Sequence, residues 1–298
     1  MEHVEVSPLS ERSAVAADEL AKWWASSSFS GSAALLLQQQ LESARAQADY
    51  GSFLDALLSQ GDALMKSSST TSSHEESLED VVSAFGLIIV LLTATPSSSR
   101  TSLVLRVVDV VASSASYTES RSSHVARLRI LANLFNSLRS SSGSLLNSKT
   151  VDEKSQKSLQ LEVLKRLVTF ASETKQLEVG SPVTSYLVAS IGPSWGLTTQ
   201  QSSDFFLHVS MCYGRMGETD EEQQWLLRHL ISFESQSTSE NDLMIAIPLA
   251  RSAAVSYLAA PAGQQKYEVP RLKSVSSFFI ERNVDNTFDS HCSCRVCL

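Results

Sequence analysis

Three of the four cysteines, Cys292, Cys294 and Cys297, crowd into the last seven residues, directly behind His291. By residue type, the four side chains could ligate zinc, which takes thiolate sulfur and imidazole nitrogen in a tetrahedron. Their spacing argues against it. His291 and Cys292 are adjacent and Cys292–Cys294 is a C-x-C step, whereas structural zinc sites use paired C-x-x-C ligands. Prenylation needs a cysteine fourth from the end, and Arg295 stands there. We read the quartet as a reactive, disordered tail and assign no metal ligand.

The remaining chemistry-bearing residues are dispersed. No G-x-S-x-G turn presents a serine nucleophile, no Gly-rich loop cradles a phosphate and no H-E-x-x-H pair occurs. His208 and His229 each fall within a helical pattern, as surface or packed side chains. Glu75/Glu76 and Glu221/Glu222 sit near expected helix starts, where they complement the macrodipole. Trp225 is expected in a core. We therefore expect a non-enzymatic protein, with no catalytic, cofactor-binding or metal-ligating residue and no cofactor.

The elements between these residues are helical. Across 298 residues, 43% are hydrophobic, 19% charged and only 7% aromatic, with 11 glycines and 7 prolines, too few turn formers for a sandwich or barrel. A net charge of −8 offers no broad basic field for nucleic acid. The N-terminal stretch has no apolar core of a secretory signal. The longest apolar run, Val81 to Ala94, is shorter than the roughly 20 residues that cross a bilayer, so it is expected to be a buried helix. With Cys212 the one cysteine in the body of the chain, the expected compartment is the reducing cytoplasm, without membrane contact.

Serine tracts at 66–77, 96–100, 140–144 and 235–240 read as loops, because serine competes for local backbone hydrogen bonds. Between them, apolar residues recur at helical spacing. Val125, Leu128, Leu131, Leu134, Phe135 and Leu138 mark one face, with Ser122 or Ser123 as the cap and Gly143 after the end. Leu161, Leu164, Leu167, Val168 and Ala171 mark another. Ser181 and Pro182 open a third helix, and Phe205, Phe206, Val209 and Cys212 line a fourth. Thr219 and Glu222 have the spacing of a capping box, and Ser239 and Asp242 nearly repeat it. Pro248 should kink the helix after that or end its first turns. The pattern predicts an all-α protein, an irregular stack of antiparallel helical hairpins with helices of about 15–20 residues, followed by a flexible tail.

Two stretches carry a family resemblance. In "HVARLRILANLFNSL", the resemblance is carried by Leu128, Arg129, Ile130, Leu131, Asn133, Leu134 and Phe135. In "SWGLTTQQSSDFFLHVSMCY", Trp195, Leu197, Thr198 and Thr199 follow a W-x-L-T-T turn. Both, in this order, resemble the M subunits of eukaryotic translation initiation factor three, members of the PCI-domain family, over roughly residues 75–272. The resemblance implies a helical-repeat arm of a PCI domain and a non-enzymatic scaffold. Its implied partners are the other subunits of that factor and, through the complex, the small ribosomal subunit, with no direct small-molecule ligand. The related scaffolds of the signalosome and proteasome lid are the alternative.

The resulting organisation is an N-terminal helical region over 1–70, the arm over 71–272 and an unrelated tail over 273–298. The family's winged helix is expected after residue 272, and the text changes there instead. From about Ser274 the sequence reads as a truncated or alternatively spliced product, or as a gene model that ran into non-coding sequence.

Overall fold

The structure, a computed structural model, describes residues 9–26, 32–66, 74–113, 120–139, 153–177, 197–234, 248–255 and 259. Of the described residues, 89% are helical and none lies in a strand, so the described part of the chain is all-α, as expected. It divides into two compact units, Met1–Glu178 and Val179–Leu298. The boundaries expected at 70 and 272, the helix opened by Ser181 and Pro182, the caps at Ser239 and Asp242, and the whole cysteine tail lie outside the described residues.

The first unit holds eight described helices: α1 Leu9–Ser26, α2 Ser32–Ala46, α3 Tyr50–Leu58, α4 Gly61–Lys66, α5 His74–Ala94, α6 Ser97–Val111, α7 Arg121–Arg139 and α8 Glu153–Glu173. Each buries one stripe. On α1 the stripe is Ser13, Ala16, Ala17, Leu20 and Trp24, the three-and-four spacing that places residues on one helix face. The helices pack in two rows. α1 packs on α5 and α5 on α7, while α2 packs on α3, α3 on α6 and α6 on α8. Contacts of α1 with α2, α3 with α5, α6 with α7, and α7 with α8 join the rows. In a linear solenoid each repeat meets only its neighbours. Here α1 reaches α5 across three intervening helices, so the stack is irregular.

α5 is the centre of this unit. It is longer than the apolar run suggested. Its window Ser77–Ala94, with a mean hydropathy of 1.9, is long and apolar enough by length and composition to cross a membrane. In this fold Val81, Ala84, Phe85, Ile88, Leu91 and Leu92 are buried, and α1, α3 and α7 pack against the helix. Each such large side chain contributes about 1.5–3 kcal/mol relative to exposure.

The last carbonyls of a helix have no partner within it. Three times in this unit, a side chain from the following helix supplies one. Arg100 of α6 donates to the carbonyls of Thr93 and Thr95, at 3.3 and 2.6 Å, where α5 ends. Arg127 of α7 donates to Val110 and Val111, at 3.4 and 2.7 Å, where α6 ends. Gln160 of α8, joined by Gln156 at 3.2 Å, donates to Leu138 near the end of α7. Arg100, Arg127 and Gln160 are all buried. Burial pushes the Arg100 guanidinium down from its ordinary range, which lies so high that the group remains a cation suited to a helix C-terminus.

The second unit contains α9 Thr199–Met216, α10 Thr219–Glu234 and the helical residues 248–255. α9 ends at Gly217, whose φ of 82° is the left-handed conformation glycine adopts without a Cβ penalty. The Glu218 amide bonds the Tyr213 carbonyl and the Gly217 amide bonds Gly214, the paired bonds of a Schellman motif. The chain reverses at once into α10. Leu226, Leu227 and Leu230 of α10 then pack on Ala250, Ala253 and Ala254. Pro248 is the first described helical residue of its segment.

Four local expectations are corrected. The serine tract at 96–100, expected as a loop, is helical from Ser97 and forms the first turn of α6, and the end of the tract at 66–77 opens α5 at His74. α7 is capped by Ser120, which accepts from the Ser123 amide at 3.3 Å, rather than by Ser122 or Ser123. Its buried face runs through Ala126, Arg127, Ile130, Leu131, Leu134, Phe135 and Leu138, and Val125 is exposed, because the Arg127 cap turns that side inward. The Glu222 amide bonds the Glu218 carbonyl, so Thr219 is already inside α10 and the tight turn at Gly217 leaves it no capping role.

Candidate functional site

A groove of about 600 Å³ lies in the first unit. Ser59, Gln60 and Gly61 at the α3–α4 turn and Ala63 of α4 form one wall. Arg106, Asp109 and Val110 of α6, with Ser113 just beyond it, form the other. The walls stand close because position 61 is glycine: a Cβ there would lie 2.7 Å from Val110 Cγ2. Arg106 also bonds the Asp55 carboxylate of α3, and Asp109 lies 3.9 Å from Arg166 of α8. All four charges are substantially exposed, so each pair contributes at most about 1 kcal/mol. A groove with one cation and one anion three residues apart on the same helix has no net attraction for an ion of either sign.

A serine and a histidine meet in the second unit. His229 Nδ1 of α10 lies 2.9 Å from both the carbonyl oxygen and Oγ of Ser203 in α9, and Oγ–H donates to the His229 carbonyl at 3.4 Å. Ser203 is 0% exposed and His229 5%. With Nδ1–H donating to the Ser203 carbonyl, the imidazole does not withdraw the hydroxyl proton as a general base would. The pair instead satisfies buried polar groups between two helices. Four residues apart on α9, His208 Nε2 approaches Cys212 Sγ at 3.8 Å, with the thiol buried. No group of three metal-ligating side chains forms among the described residues.

The stretches that carry the family resemblance have separate structural roles. In α7, Ile130, Leu131, Leu134 and Phe135 are buried, Leu128 is half-buried and Arg129 and Asn133 face outward. Arg129 pairs with Glu79 of α5. That bond holds the Glu79 carboxyl below, and the Arg129 guanidinium above, their ordinary ranges. Trp195 lies outside the described residues. Thr198 is the N-cap of α9: its Oγ1 accepts from the Gln201 amide at 3.2 Å, and its own amide donates to Gln201 Oε1 at 3.0 Å. The T-x-x-Q spacing of Thr198 and Gln201 carries the same capping signal as the T-x-x-E spacing at Thr219, and here both bonds of the box form.

Trp225 is buried, as expected, with Phe206 at 5.9 Å and the Arg228 guanidinium 4.7 Å above its ring. These features define a class: described helices that are joined to one another by buried polar side chains, Arg100, Arg127, Gln160, Ser203 and His229 among them. Beyond that class, no family model, no curated protein and no solved structure matches this chain.

Proposed function

We propose that this chain is a non-enzymatic scaffold subunit of eukaryotic translation initiation factor three, like the M subunits it resembles. In this reading it works in the cytoplasm, supports mRNA recruitment to the small ribosomal subunit through the complex, and contributes a PCI-type helical arm. One observation carries the reading. The two stretches of the resemblance take roles that a helical arm requires, Ile130, Leu131, Leu134 and Phe135 as core and Thr198 as a helix cap.

The test is purification of the tagged chain from a eukaryotic cytosolic extract, with mass spectrometry of the proteins retained. Enrichment of initiation-factor subunits together with small-subunit ribosomal proteins is the expected result. Enrichment of signalosome or proteasome-lid subunits would reassign the scaffold to a related complex. Recovery of chaperones alone would overturn the proposal.

A further inference from the structure

We draw no further inference here: the strongest candidate, the groove between the α3–α4 turn and α6, carries nothing, because Arg106 and Asp109 already face Asp55 and Arg166 and nothing in the structure shows what fills it.

Discussion

In the first unit, the ends of three helices are sealed by side chains from the helix that follows, Arg100, Arg127 and Gln160. In the second, α9 and α10 are tied along their lengths. Ser203 meets His229 and Ser210 Oγ donates to the Glu222 carbonyl at 2.9 Å. These pairs run in opposite order along the two helices, which fixes an antiparallel register. The difference follows from the connections. Gly217 lets α9 cap its own carbonyls and turn directly into α10, so the polar side chains are left to tie the helix faces. Where α5, α6 and α7 end, the orphan carbonyls of Thr93, Thr95, Val110, Val111 and Leu138 lie against buried side chains, and water is replaced by a long donor.

The largest effect that would sharpen this contrast is in the centre of the first unit. Phe85→Ala empties a fully buried site on α5 and is expected to cost about 3–5 kcal/mol, read as a fall in the denaturation midpoint. Hydrogen-exchange protection should fall together in α1, α5 and α7, and loss confined to α5 would break the two-row description.

Arg127→Met keeps much of the side-chain volume but removes the donor to Val110 and Val111. Leaving buried carbonyls without it should cost about 2–3 kcal/mol. Ser203→Ala in the second unit should cost only about 1 kcal/mol, because His229 still donates to the Ser203 carbonyl. Equal losses in urea unfolding would erase the distinction between sealed ends and tied faces.

Two glycine substitutions test opposite signs. In Gly61→Ala the new methyl meets stiff, branched Val110, an overpacking expected to cost about 1–3 kcal/mol. In Gly214→Ala it meets the tip of Glu222, 2.8 Å away and free to swing aside. Helix propensity then favours alanine by up to about 1 kcal/mol. Thermal melts that fall for the first and hold or rise for the second are the expected pair.

Lys175 follows α8 with φ 55°, in the Schellman position that Gly217 occupies after α9. Lys175→Gly should therefore stabilise by about 0.5–1 kcal/mol, readable as a higher denaturation midpoint. The smallest effect is acid-dependent. The bond to Arg129 lowers the folded Glu79 carboxyl, so its contribution is present above the ordinary carboxylate range and is lost as pH falls through it, below about pH 4. Asp49, lowered chiefly by its bond to Ser52 at the start of α3, has the same sign. A Glu79→Gln chain should show a shallower loss of stability between pH 5 and about pH 2.

Much of the all-α character was legible in the sequence because it rests on local periodicity. The stripe of Leu161, Leu164, Leu167, Val168 and Ala171 on α8 is buried as spaced, since residues three and four apart share a helix face whatever the partner. Trp225 follows the same logic. The chemistry of the Ser203–His229 pair was not legible. Twenty-six positions separate the two residues, and serine is too common here for any one of them to stand out.

Local spacing also misled where a distant group decided the outcome. Periodicity put Val125 on the buried face of α7, but the carbonyls at the end of α6 drew Arg127 inward and left Val125 exposed. Thr219–Glu222 and Thr198–Gln201 both carry a capping signal, and the left-handed turn at Gly217 left only the second to cap. The sequence by itself determined that the chain favours helices and which apolar stripes on α8 and around Trp225 seek burial, because those depend on neighbours within a turn. The serine tract at 96–100, by contrast, became the first turn of α6. Only the tertiary structure decided that α1 lies on α5, that arginines seal helix ends and that Gly61 meets Val110. Such contacts join residues far apart in the chain, and the free energy of each depends on what it displaces.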